Sequence, residues 1–260
     1  MGIPISGKHA IEIAAFVVAF ERPFSTNAIE ALSGLQETLK NELPIFQRIN
    51  VLEVRLEDGA VVKQNVGSVS GVLLQQFGED GKQSWGVRVE GNTIVVSCQK
   101  YDAWNTIAPK ALGFIKAAAN IVGDEENPLA VVAHQIVDRF VAPSKDGYKI
   151  GDVFNTRSDF LTKHTFSAGC LWHIHQGWFD DATLAPSRTL NVLNLSTNDT
   201  PSGLITTIDH TAQYQSGGVQ TAKVTDDDWL RSLFDELHIK NKTVLGNLLN
   251  AKQRKAIKLL

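Results

Sequence analysis

Cysteine is scarce in this chain of 260 residues, since Cys98 and Cys170 are the only two. Both lie in apolar, strand-like sequence, which indicates free thiols in a reducing compartment rather than a disulfide scaffold. Long apolar runs are lacking too. The most apolar early stretch, AIEIAAFVVAF at 10–20, contains Glu12 and covers about half of the ~20 residues that a membrane-spanning helix needs. No basic region of a signal peptide precedes it. We therefore expect a cytoplasmic protein without a membrane partner.

An excess of charge of either sign is also absent. With 25 basic and 28 acidic residues, the formal net charge is −3, so no strong overall field draws the chain to nucleic acid. The sequence has no G-x-S-x-G nucleophile elbow, no P-loop and no G-x-G-x-x-G dinucleotide loop. Basic residues interleaved with aromatic ones, the mark of an RNA-stacking strand, are missing as well. We expect no cofactor, and nucleic acid is disfavoured as a partner.

Hydrophobic periodicity predicts the order strand, helix, strands, helix in the first half of the chain. Residues 10–20 predict a buried strand, and an apolar stripe from Ile29 to Leu39, capped by Ser25 or Thr26, predicts a helix. A second helix is predicted over about 103–122. Between the helices, hairpin strands are predicted at 47–57, 68–78, 83–90 and 93–99, with turns at Asp58-Gly59, Asp80-Gly81 and Gly91-Asn92.

The same order is predicted again in the second half. A strand at 130–140 is followed by a weakly helical or irregular connection at 151–161, strands at about 165–179, 188–197 and 203–214, and a terminal helix after 225–228. The sequence thus predicts an α+β fold of two similar halves, 1–126 and 127–260, each with a mainly antiparallel sheet flanked by helices. We expect one module with pseudo-twofold symmetry. The alternative is two independently folding domains divided near residue 126.

Several segments together resemble a known family. They are the opening strand AIEIAAFVVAF, the stretch GNTIVVSCQKYDAWNTIAPKALGFIKAAANI followed by VVAHQIVDRFVAP, and the late WLRSLFDELHIKNKTVLGNLL. They resemble a sporadically distributed, uncharacterised bacterial family of about this length, over nearly the whole chain. Where that family has a basic, aromatic and asparagine-containing motif, this chain has Asp138, Arg139 and Phe140. The resemblance implies no established catalytic residues, and a patchy distribution like that of defence, toxin and antitoxin genes.

Residues 173–181, HIHQGWFDD, contain the main candidate for metal chemistry. Side chains alternate along a strand, so His173 and His175 share one face and could chelate one zinc, iron or manganese ion. Asp180 follows five residues after His175, and His210 lies on the strand after next, so these two are the candidate further ligands. The alternative is that both histidines lie on a half-solvated sheet face without a metal.

Aromatic residues at predicted strand ends are the candidate interface: Trp85, Trp178, Phe179 and Tyr214. They are equally compatible with a core. Our first functional hypothesis is a non-enzymatic protein that binds another protein, such as a genomic neighbour, as an antitoxin, immunity or phage-defence-associated partner. The alternatives are a metal-dependent enzyme that uses the His-x-His site, and a protein that binds a small ligand or nucleic acid between its halves. The sequence does not indicate an oligomeric state.

The end of the chain is basic. After Glu236 no acidic residue occurs, whereas six basic ones do: Lys240, Lys242, Lys252, Arg254, Lys255 and Lys258. We interpret these as cations that complement the dipole of a terminal helix, rather than as a phosphate-binding tail.

Overall fold

One antiparallel sheet of ten strands dominates the structure, which is a computed structural model that describes residues 2–57, 60–142, 148–181, 188–201, 203–219 and 224–259. The strands are β1 (Ile3–Pro4), β2 (Ile11–Phe20), β3 (Ile45–Glu57), β4 (Ala60–Phe77), β5 (Gln83–Glu90), β6 (Thr93–Cys98), β7 (Leu129–Ala142), β8 (Trp172–Asp181), β9 (Arg188–Thr200) and β10 (Gly203–Val219). The helices are α1 (Thr26–Ala31), α2 (Gly34–Leu39), α3 (Trp104–Val122), α4 (Asp227–Leu248) and α5 (Ala251–Ala256). Two 3-10 turns lie at Ile150–Asp152 and Thr165–Ser167.

The strand order is β3-β4-β5-β6-β2-β7-β10-β9-β8, and every neighbouring pair is antiparallel. The short β1 extends the sheet beside the end of β7. The opening strands of the two halves, β2 and β7, lie side by side at the centre, where Phe16 is opposite His134. The two halves therefore share one sheet. Whether each half can fold by itself stays a prediction.

The predicted fold class is wrong. We expected α+β halves with sheets flanked by helices, but the chain is 44% strand and 29% helix, and the continuous sheet organises it. Three observations explain the difference. The pairing of β2 with β7 merges the two expected sheets into one, and β4 and β10 are longer than their apolar cores suggest, with 18 and 17 residues. In addition, only 3-10 turns lie between β7 and β8 in the part of that segment that is described.

Capping and turn residues correctly predict the positions of several elements. Ser25 caps α1, as its side chain accepts a hydrogen bond from the backbone N–H of Ala28 at 3.2 Å. The sequence predicts one helix from Ser25 to Leu39, but the structure has two, α1 and α2. The break lies at Ser33 and Gly34, which are weak helix formers. The predicted turns at Gly81 and Gly91 are confirmed, and both glycines have the positive φ that a Cβ disfavours, at 72° and 62°. The predicted turn at Asp58-Gly59 lies outside the described residues.

The helices cover one face of the sheet. On that face Phe16, Val96 and Val87 pack with α3 side chains such as Phe114 and Ile115 in the larger of two apolar clusters. The smaller cluster lies under the end of α4, where Phe140 and other side chains of the second half meet Leu248. We call this face the covered face. Within the described residues, no helix has the length and apolar character needed to cross a bilayer.

The opposite face, which we call the outer face, carries partly buried aliphatic and polar side chains. Ile13, Val17 and Val95 alternate with the fully buried residues of the covered face along β2 and β6. An ion pair between Arg139 Nη1 and Glu12 Oε1, 2.7 Å apart, lies where β7 runs beside β2. The two faces thus differ sharply in burial, and the difference decides where each candidate residue points.

Candidate functional site

The structure divides the predicted metal ligands between the two faces of the sheet. His173 and His175 are exposed on the outer face of β8, whereas Asp180, an odd number of residues away, lies on the covered face. Strand register places His210 of β10 on the covered face as well, where it is 3% exposed. The four side chains therefore cannot surround one ion, because alternation along β8 sends them in opposite directions.

The two exposed histidines remain neighbours on the outer face. His175 Nδ1 is hydrogen-bonded to Asn194 Oδ1 of β9, which fixes the orientation of that ring. Among the described residues, no group of three or more histidine, cysteine, aspartate or glutamate side chains is arranged to hold a metal ion. Binding of zinc, iron or manganese by His173 and His175 alone stays a prediction.

The predicted aromatic interface is also divided. Trp85 and Tyr214 are core residues, 7% and 3% exposed, because their positions in the register belong to the covered face. Trp178 faces the same way, and its ring packs against Phe160 and His210. Only Phe179 points to the outer face, with 57% of its surface exposed. Of the four aromatic residues, three are therefore packed within the chain and one is available to a partner.

The covered face holds a cavity of about 710 Å3 between the centre of the sheet and α4. Side chains of β2, β7 and β10 line it on the sheet side, and the start of α3, the side of α4 and residues 256–259 complete the wall. Its lining includes the polar side chains of His9, Tyr101, Asp138, His210, His238 and Asn241. Both halves of the chain contribute to this set, so the cavity is a property of the whole sheet.

Asn241 of α4 links two buried histidines on neighbouring strands. Its Nδ2 donates to Nδ1 of His134 at 2.9 Å, and its Oδ1 lies 2.6 Å from Nδ1 of His210. An amide oxygen only accepts, so His210 Nδ1 carries the hydrogen and Nε2 of the neutral ring presents a free lone pair. Burial lowers the pKa of His210 to about 4 and that of His134 well below its usual value, so both rings are neutral at physiological pH.

Asp138 is the most unusual group of the cavity. It lies on β7 opposite Ile11 and Ile208, is 2% exposed, and its Oδ1 has no hydrogen-bond partner among the described residues. Burial raises the pKa of this carboxyl to about 7, because a charge is costly where water and counter-ions are excluded. Near neutral pH the carboxyl is thus divided between its acid form, which donates a hydrogen bond, and its anion, which only accepts.

Asp138 and His210 are diagonal neighbours on adjacent strands, since Asp138 pairs with Ile208 and His210 pairs with Ile136. Protonated Asp138 can donate a hydrogen bond, and the free Nε2 of His210 can accept one. A hydroxyl group can satisfy both at once. The pair also has the protonation states of a general acid beside a base, but the low pKa of His210 makes it a weak base.

The remaining polar lining belongs to two ring pairs. His238 of α4 stacks on Trp104 with ring centroids 4.0 Å apart, and the indole N–H of Trp104 donates to Asp235 at 2.5 Å. Burial, with a further contribution from Lys242, lowers the pKa of His238 to about 4, and its Nδ1 has no partner among the described residues. These contacts tie α4 to the start of α3 and leave one more unused polar atom beside the cavity.

Tyr101 and His9 complete the first half's share of the lining. His9 Nε2 lies 3.1 Å from the carbonyl oxygen of Tyr101, to which it donates, and the two rings meet edge to face. Burial, followed by the nearby charge of Asp138, raises the pKa of Tyr101 to about 12. The phenol is therefore neutral, and it adds a hydrogen-bond donor to the cavity lining that also contains Asp138.

Sequence reasoning missed this site, although a signal for it was present. In the predicted strand at 130–140, His134, Ile136, Asp138 and Phe140 share one face, and that face packs against the core. Two ionisable side chains on a core-facing row indicate either paired charges or a cavity. In the sequence, Asp138 stands out only as a departure from a family motif. His238 and Asn241 gave no comparable signal, because isolated polar residues on a helix are usually solvated.

Comparisons with known proteins add little to this geometry. No protein-family model and no curated protein matches the chain. Among solved structures, the di-domain ARO/CYC StfQ from the steffimycin biosynthetic pathway aligns over 90% of this chain and 96% of its own, with 10% sequence identity and a TM-score of 0.17. A TM-score that low supports no argument about fold or function.

Proposed function

We propose that the chain binds a small organic ligand in the cavity between its two halves. The observation that carries this proposal is Asp138, whose buried carboxyl lines a cavity of about 710 Å3 and has an oxygen without a partner among the described residues. Buried polar atoms are nearly always hydrogen-bonded, so an unpartnered one at a cavity wall is what a ligand-binding site provides. The volume lies within the ~300–1,000 Å3 of small-molecule sites.

The composition of the wall supports the same proposal. Ligand sites are mostly apolar with a few convergent polar groups, and here Ile11, Ile208 and Leu245 surround Asp138 and His210. The polar groups are held by fixed strands and by the Asn241 bridge, so they need little rearrangement to meet a ligand.

Titration with 1-octanol, which has an apolar body and one hydroxyl, tests the proposal. We expect saturable shifts of the imidazole carbon-bound proton signals of His210 and His238, which line the cavity. The signals of His173 and His175 on the outer face are an internal control and should not move. An Asp138→Leu variant, which removes the hydrogen-bonding carboxyl, should weaken the binding. The proposal fails if the cavity histidines of the folded protein do not respond up to the solubility limit of 1-octanol.

A second candidate function is the binding of another protein through the outer face, in the antitoxin, immunity or defence role. It is favoured by Phe179, which is 57% exposed, and by Leu171 just before β8, which is also 57% exposed. Exposed large apolar side chains are common anchors of protein interfaces. The test is co-purification of the product of an adjacent gene with the wild-type chain and with Phe179→Asp. Retention of the partner by both proteins would contradict a role for this surface.

We also propose a cytoplasmic location. It is supported by the two free cysteines, of which Cys98 is buried and Cys170 is half-buried. Burial raises the pKa of the Cys98 thiol to about 11, which keeps it in its unreactive form. Thiol labelling after extraction under non-reducing conditions would test this, since a disulfide or a blocked thiol in the native protein would contradict it.

A further inference from the structure

Three lysines lie at the mouth of the cavity, and each comes from a different part of the chain. Lys8 lies in the turn before β2, Lys242 lies on α4, and Lys258 follows α5. All three residues are exposed, and none of them makes an ion pair with a residue that the structure describes. By contrast, Lys240, which precedes Asn241 on α4, pairs with Asp180 at 3.7 Å. Among the described residues, the three mouth lysines thus have no partner in an ion pair.

The exposed part of the cavity lining has a net positive charge. The cavity wall contains these three lysines and two aspartates, Asp102 and Asp138. Asp102 is exposed, and Asp138 lies deep on the sheet, where burial disfavours its anion. Cations that converge on an opening attract anions and repel other cations. The basic end of the chain, which the sequence explains as helix-dipole complementation, therefore has two of its members, Lys242 and Lys258, at a binding site.

We infer that the ligand is an organic anion whose apolar body lies against Ile11, Ile208 and Leu245 and whose anionic group is held by Lys8, Lys242 and Lys258. This inference rests on the proposed function of the cavity and specifies its ligand class. A polar atom at the inner end of such a ligand meets Asp138 and His210. Carboxylates, sulfonates and phosphate esters share the required chemistry, and the structure selects the charge and its location rather than one of these groups.

Octanoate, 1-octanol and octylammonium form a matched set of probes, because they share one alkyl body and differ in the charge of the head group. Their affinities are measured by calorimetry at neutral pH and low salt, with the His210 and His238 signals as reporters of the cavity. We expect octanoate to bind about tenfold or more tightly than 1-octanol, since several lysines near one carboxylate each contribute even in water. Octylammonium should bind most weakly, and added salt should reduce the preference for octanoate.

The chain offers a matched pair of variants for the decisive comparison. Lys242→Gln/Lys258→Gln removes two charges from the mouth, whereas Lys252→Gln/Lys255→Gln removes two exposed charges of the same C-terminal segment that do not line the cavity. The mouth variant should lose most of the preference for octanoate and retain its affinity for 1-octanol. The control variant should bind both probes as the wild type does. All four substituted lysines are exposed, so both variants should fold, and their unfolding midpoints verify this.

The outcomes separate the two proposals. If 1-octanol binds but octanoate binds no better, or if the preference survives in the mouth variant, the inference about an anionic ligand is overturned and the cavity remains a ligand site. If none of the three probes shifts the cavity histidines, the proposed function itself fails. If the control variant loses the preference as fully as the mouth variant, the effect belongs to net charge and the inference is again overturned.

Discussion

Asp138 should make the stability of the protein depend on pH. Burial raises its pKa from 3.8 to about 7, so between these values the folded state holds a proton that the unfolded chain releases. The resulting stabilisation is complete below about pH 4 and is lost as the pH rises through about 7. A difference of about three pKa units corresponds to about 4 kcal/mol. Asp138→Asn mimics the neutral carboxyl, so the variant should gain up to about this much stability relative to wild type between pH 4 and pH 8.

Urea unfolding of both proteins at several pH values checks this prediction. The buried histidines act in the opposite direction, since the lowered pKa values of His210 and His238 make folding more favourable as the pH rises from about 4 to 6.5. They are present in both proteins and cancel in the difference. Asp181→Asn makes the same replacement of a carboxyl group by an amide at an exposed position of β8, and it is the control. A constant difference between Asp138→Asn and wild type at all pH values would refute the assigned burial.

The same residue shows the limit of sequence reasoning at this scale. The alternation that placed His173 and His175 on one face of β8 is confirmed, because a period of two is a local property of an extended chain. Which face is covered depends on the helices, and these are distant in sequence. The pattern could therefore predict that His173 and His175 lie on the same face. It could not predict that Asp180 and His210 lie on the opposite face. It also could not decide whether Asp138 has a charged partner or lines a cavity.

At the scale of single elements, two glycines should respond in opposite ways to the same substitution. A Cβ on Gly71 of β4 would lie 2.1 Å from the carbonyl oxygen of Val89 on β5, so Gly71→Ala must separate two paired strands. Gly113 lies on the exposed side of α3 with nothing within 4 Å, so Gly113→Ala should stabilise the helix by about 0.5–1 kcal/mol. We expect Gly71→Ala to destabilise by about 2 kcal/mol or more, within the range of strained core substitutions.

Thermal and urea unfolding of the two alanine variants test this contrast, and each variant is the control for the other. If Gly71→Ala leaves the stability unchanged, β4 and β5 approach each other less closely than the structure shows. Sequence reasoning could anticipate the helical site, where propensity alone decides. It could not anticipate Gly71, because the close approach is to a backbone atom of β5, and the sequence of β4 alone does not reveal how near that atom lies.

At the scale of the whole molecule, the main feature that the sequence did not reveal is the contact between β2 and β7. Hairpins such as β5–β6 are predictable because a turn with Gly91 fixes their register. The pairing of β2 with β7 joins residues more than a hundred positions apart, and no turn specifies it. Yet this pairing merges the two sheets and brings Tyr101 of the first half beside Asp138 of the second. This one pairing thus contributes both to the fold-class error and to the missed cavity.

This shared sheet predicts how the chain behaves when it is cut between its halves. Insertion of a specific protease site between Glu125 and Glu126, which are exposed, allows cleavage of the folded protein. The two pieces should co-elute in size-exclusion chromatography without denaturant, because separation would expose the hydrogen-bonding edges of β2 and β7 and open the cavity to water. After transfer into urea they should separate. If the two pieces instead separate in buffer and both stay folded, they are independent domains. A cavity built from both halves could then not be the principal site of the protein.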